Sequence, residues 1–376
     1  MSRLFANIVG QKLAVSLLTR ALEEGASHAY LFAGPPGVGK ADAALAFAAG
    51  LVCPARGCGT CDICRRVQAG LHPDVRIVAP EANEIRVETI RDGIVPDAPK
   101  RPFELESRAK VYLLLDAERL NEEAAGAFLK TLEEPPPHVH FILVTDRPER
   151  LPSTILSRCQ LVPFSLVPTP AIVDDLRERL GVPPARAELW ARVAAGDLSY
   201  ARDLASNERA RRQRERLLDL ARDLPEAAPL DLESALDEIM GTIEIRAAER
   251  AAELEQERDK RLQWVSNARD RAWVEKTYDE LLRRQKRRQV SLGLQTVVQV
   301  FGGWYRDLAM LAAGAEEAVL NRDRIEELRI FALADSIPSY LAAVACARRT
   351  QERLRYNVDA RFALADMFLA IKEALT

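Results

Sequence analysis

Gly34, Gly39 and Lys40 stand in YLFAGPPGVGKA at the spacing of a loop that wraps a phosphate chain, directly after a strand-length apolar burst and before AALAFAAGL, which can form the following helix. The candidate nucleotide contacts there are Gly34, Pro35, Gly37, Val38, Gly39, Lys40 and Ala41. Glycines let the backbone curl so that amide N–H groups face phosphate oxygens, and the lysine adds a compact positive charge. The position after the lysine calls for a Ser or Thr hydroxyl on magnesium, and Ala41 has none. A second burst, VYLLLD, ends in Asp116, which reads either as the strand-end carboxylate that serves this metal or as a cap on the next helix. The next position, where a carboxylate would orient or deprotonate water, is Ala117. If the chain is still extended, Glu118 returns to the face of Asp116 one step further along and is a poor substitute. Both losses fall on metal-assisted activation of water. Together they imply that ATP or ADP is bound without efficient turnover.

Cys53, Cys58, Cys61 and Cys64 offer four thiolates in one short excursion, enough for a closed tetrahedral zinc site. With four protein ligands no position stays open for water, so the metal would be structural. Free thiols and an iron–sulfur cluster are the competing readings. His72 is a possible but unnecessary ligand. Glu133 and Glu134 in LKTLEEPPPHVHF are not a catalytic pair, because adjacent helical residues diverge by about 100°, and Pro135 explains the end of the helix. Cys346 reads as a small core residue.

These groups need a scaffold, and 376 residues with 48% hydrophobic and 29% charged content can supply two or three folded domains. Collagen-like, mucin-like and wholly disordered chains are excluded. A net charge of −3 opposes a generic DNA-coating protein. No apolar run of membrane-spanning length and no signal-like N-terminus is present, so a cytoplasmic protein is expected.

Strand-length bursts at 30–33, 75–79, 111–115 and 141–144, separated by helix-like stretches, predict an α/β domain with a mainly parallel sheet over 1–165. Pro168, Pro170, Pro183 and Pro184 punctuate short helices, which suggests a small helical domain over 166–205. Residues 206–376 read as a separate helical domain, interrupted at about 244–289 by a charge-rich stretch expected to form a projecting helical pair. Within that stretch Arg283, Arg284, Lys286, Arg287 and Arg288 read as a solvated face or as phosphate contacts.

In this order, FANIVGQ at 5–11, HAYLFAGPPGVGK at 28–40, the cysteine cluster, HPD at 72–74, LKTLEEPP at 129–136 and TDRPERLPSTILSRC at 145–159 resemble the bacterial clamp-loader subunits of the AAA+ class over about residues 5–205. The resemblance implies a RecA-like nucleotide domain, a helical lid and a helical collar through which subunits form a hetero-oligomeric ring. It places Val9, Gly10 and Gln11 near an adenine pocket, Thr145 at a nucleotide-sensing strand end, and Ser157, Arg158 and Cys159 in the loader signature. Arg158 would reach the nucleotide of a neighbouring subunit, although pairing within its own chain is the competing reading. The implied partners are other loader subunits, a sliding clamp and primed DNA.

Such loaders contain ATP-hydrolysing subunits and one that usually does not hydrolyse. Ala41 and Ala117 point to the latter, as does Ser199 where a phosphate-sensing arginine would stand, with Arg202 one turn on. The cysteine cluster also departs from the family in having four residues between its first two cysteines, where relatives commonly have more. The remaining alternatives are a hydrolysing subunit that uses Lys40 and Asp116, and a zinc-dependent DNA-binding or repair module.

Overall fold

The computed structural model describes residues 3–80, 84–263, 265, 267–354 and 358–375. The chain divides into two compact units, the first ending at Arg202 and the second beginning at Asp203.

In the first unit, β1 (Ala29–Ala33), β2 (Val75–Val78), β3 (Lys110–Leu114), β4 (Val139–Thr145) and β5 (Gln160–Pro163) form one parallel sheet in the order β2-β3-β4-β1-β5. Every residue of β1 and β3 is buried, as expected of strands covered by helices on both faces. The helices of this unit are α1 (Lys12–Glu24), α2 (Lys40–Val52), α3 (Asp62–Gln68), α4 (Glu122–Glu133), α5 (Ser153–Leu156), α6 (Thr169–Leu180) and α7 (Pro184–Ala194), with α8 (Leu198–Ser206) beginning at its end. Aromatic rings fill the spaces between layers, with Phe128 edge-on to Phe141 at 5.0 Å and Tyr30 edge-on to Phe47 at 4.8 Å.

All four expected bursts are strands. The fifth, β5, has no counterpart among those bursts, because only Val162 among its residues is buried and an edge strand of this kind leaves no apolar run. Ala33 pairs in register with Thr145, so the carboxyl ends of β1 and β4 open on the same edge. That edge is where ligands of open parallel sheets bind.

The second unit is helical: α9 (Glu208–Asp223), α10 (Pro229–Leu262), α11 (Ala268–Ala312), α12 (Ile325–Phe331), α13 (Ile337–Arg353) and α14 (Ala360–Leu375). Its core gathers Phe301, Trp304, Tyr305, Tyr340 and Phe368, with Phe301 stacked on Phe368 at 4.8 Å. The charge-rich stretch occupies the adjoining ends of α10 and α11, lies outside that core, and buries Ala247, Leu254, Val274, Tyr278 and Leu281. Positions 264 and 266, where the two helices of the expected pair would join, lie outside the described residues. Among the described residues, no single helix is long and apolar enough to cross a membrane.

Candidate functional site

The loop between β1 and α2 curls through three glycines in positive φ, at 157° for Gly34, 74° for Gly37 and 89° for Gly39, and Gly39 caps α2. The 74° and 89° values lie in the region where side chains other than glycine are strained. Pro35 and Val38 complete the curl, with Val38 buried. Lys40 opens α2, is only 8% exposed, and donates its Nζ to the carbonyl of Gly34 at 2.6 Å and to that of Pro35. Ala41 follows on the first turn of α2 and brings no polar side chain.

β3 ends at Leu114 and does not run on to Asp116. Asp116 takes a left-handed conformation at φ 50°, makes no side-chain cap bond to the following turn, and is exposed. The chain then turns through a short 3-10 segment, Ala117–Arg119. This corrects the extended-chain argument against Glu118. The turn carries Glu118 to the end of β4, where its Oε2 accepts the Thr145 hydroxyl at 2.7 Å. Burial pushes the Glu118 carboxyl up to about 7; the Asp146 and Asp116 carboxylates add to the shift, and the bond from Thr145 opposes it. Glu118 therefore stands at the carboxyl end of β4, a placement that spacing alone does not indicate.

Val9, Gly10 and Gln11 precede α1. The Gln11 amide is engaged by the backbone of Ser165, donating to its carbonyl at 2.7 Å and accepting from its N–H at 3.1 Å. Gly10 sits at φ 73°, and a Cβ there would stand 2.8 Å from Val167 Cγ1. Ser199, on the first turn of α8, donates its backbone N–H to the Gly37 carbonyl at 3.2 Å. Arg202 is held by both carboxylate oxygens of buried Asp175, at 2.7 and 2.8 Å, so the arginine one turn beyond Ser199 is engaged within the unit.

The four cysteines come together at the end of α2 and the start of α3. Their sulfurs all lie within 4.8 Å of one another, close enough to hold a metal ion. Cys53 Sγ is 3.7 Å from Cys61 Sγ, and Cys58 Sγ is 4.0 Å from Cys64 Sγ. The turns needed are made by Gly57 at φ 87° and Gly59 at φ 76°. Backbone N–H groups of Thr60 and Cys61 lower the Cys58 thiol to about 6, whereas burial pushes Cys64 up. His72 is not part of this cluster. It is buried, accepts the Asp74 N–H on Nδ1 at 3.2 Å, and directs Nε2 to Glu104 at 3.2 Å.

Arg158 follows α5. Its guanidinium donates to the Thr154 carbonyl at 2.8 Å and to the Glu133 carboxylate. The side chain keeps 33% of its exposure and its partner Glu133 keeps 49%, so the pair lies on the surface. Cys159, beside it, is pushed up to about 12 by burial.

Residues 10–168 match the family model described as "DNA polymerase III, delta subunit". The chain is 28% identical to the DNA polymerase III subunit delta′ of Bacillus subtilis, over 96% of each chain. It is 39% identical to subunit tau of Escherichia coli over 53% of its own length, which spans 32% of that longer protein. Among solved structures it is similar to a gamma subunit-related protein of Thermotoga maritima, at 17% identity and a TM-score of 0.46, covering 97% of this chain and 100% of the other. The chain is thus similar to DNA polymerase III subunits, to delta′ along nearly its whole length and to tau over about half of it.

Proposed function

We propose that this chain is the delta prime kind of loader subunit: it keeps a phosphate cradle, turns nucleotide over poorly, and offers Arg158 to ATP held by a neighbouring subunit. The observation that carries the reading is an intact loop, Gly34 to Lys40, followed by Ala41, which has no hydroxyl for magnesium. Ala117 in place of a water-activating carboxylate and Ser199 in place of an arginine agree with it. Gamma/tau-type and delta-type subunits would be its ring partners, and the assembly would place a sliding clamp on primed DNA. A planar, always-charged guanidinium suits Arg158 to stabilising charge on a transferring phosphoryl group. Its pairing with half-exposed Glu133 leaves it within reach of a partner.

Zinc is the metal that best fits the cysteine cluster. Sulfurs bound tetrahedrally at about 2.3 Å would be separated by about 3.8 Å. The 3.7 and 4.0 Å separations match that edge. Zinc would tie the end of α2 to α3 and would do no chemistry.

The test is Arg158→Ala in a loader reconstituted from all its subunits. Loss of DNA-stimulated ATP hydrolysis and of clamp loading is expected; unchanged rates would remove the proposed role. A second reading, a hydrolysing subunit of the gamma/tau kind, is favoured by the position of Glu118 beside Thr145. Steady-state hydrolysis by the isolated chain separates the two: background rates support the first reading, and turnover abolished by Lys40→Ala supports the second.

A further inference from the structure

The loop that could take phosphate already has a carboxylate of its own chain against it. Gly196 and Asp197 turn the backbone from α7 into α8. Asp197 then accepts the Tyr200 N–H on Oδ1 at 2.9 Å and so caps α8. The same carboxylate is pressed onto the middle of the loop. A Cβ at Gly37 would come within 2.1 Å of Asp197 Cγ and Oδ1, so only glycine fits there with Asp197 in this position. The contact is fastened by Ser199, whose N–H and hydroxyl both reach the Gly37 carbonyl, at 3.2 and 3.4 Å. Lys40, the loop's cation, is folded onto the Gly34 and Pro35 carbonyls.

We propose that Asp197 sets the affinity of this loop for nucleotide: its carboxylate is a built-in anion that an entering di- or triphosphate must face or displace. The inference rests on reading Gly34 to Lys40 as a phosphate loop. A helix cap alone would be served about as well by Asn or Ser, so capping does not require the charge. Like charges held close together and partly shielded from water repel far more strongly than in bulk solvent.

Asparagine at this position retains a capping oxygen and removes the charge. Magnesium–ADP binding to the full chain, followed by titration calorimetry, would be compared in the wild type, Asp197→Asn, and Asp197→Asn combined with Lys40→Ala; Asp197→Ser makes the same comparison if the Asn variant does not fold. The Asn variant is expected to bind at least about tenfold more tightly than the wild type, and Lys40→Ala is expected to abolish the gain. Equal, measurable affinity of wild type and Asn variant, lost in the double variant, would overturn the role of Asp197 while leaving the phosphate loop standing. Absence of binding in all three proteins would overturn both. A gain that survives Lys40→Ala would place the ligand elsewhere and likewise overturn the inference.

Discussion

Thr145, the last residue of β4, donates its hydroxyl to Glu118, which a short 3-10 turn brings back from beyond the end of β3. The pair joins the ends of two strands at the edge where the phosphate-type loop opens, and burial there leaves the Glu118 carboxyl unusually reluctant to ionise.

That reluctance has a sign. With its pKa raised from 4.5 to about 7, Glu118 keeps a proton in the folded protein that the unfolded chain has already released over that interval. The Glu118 contribution to stability is therefore greatest at low pH and falls as pH rises from about 4.5 to about 7, by up to about 3 kcal/mol. Glu118→Gln, neutral throughout, should gain about 2 to 3 kcal/mol on the wild type between pH 5 and pH 8. Urea midpoints at both pH values measure this, and parallel behaviour of the two proteins would contradict it.

Arg158 and Glu133 form an exposed pair, and such pairs contribute little to stability. Arg158→Ala should change unfolding free energy by less than about 1 kcal/mol. A larger loss in a denaturation curve would mean that the residue is structural, and any loading defect would then have a different cause.

Metal analysis of the purified chain should find one zinc per molecule, and Cys64→Ser should lose it. Stripping with a chelator should lower the melting temperature and expose the segment 53–64 to protease, because ligand binding and local folding are coupled there. A metal-free chain with an unchanged melting temperature would rule out the structural role.

In the second unit Arg214, 1% exposed, is held by both oxygens of Asp323 at 2.6 and 2.9 Å and by Asn321 Oδ1 at 2.7 Å. Arg214→Leu strips these acceptors of a shared partner and should cost about 3 to 5 kcal/mol. Chemical denaturation that shows less than about 1 kcal/mol would mean that water replaces the arginine.

The buried strands were legible because a parallel strand covered on both faces must be apolar along its length, as β1 and β3 are. β5 escaped notice because three of its four residues are exposed. Glu118 reads as a poor substitute only while the chain stays extended, and Asp116 at φ 50° ends that geometry at once. His72 looked available beside the cysteines, yet its two ring nitrogens face Asp74 and Glu104.

What the residues determined unaided was local: the glycine curl with its lysine, and the four thiols, because each is assembled within a dozen or so neighbouring positions and its spacing alone brings the groups together. Only the folded chain decided which distant groups meet them. Asp197 against Gly37, Glu118 beneath Thr145 and Glu133 on Arg158 are contacts made by packing, and no periodicity or motif encodes the pairing of side chains so far apart along the backbone.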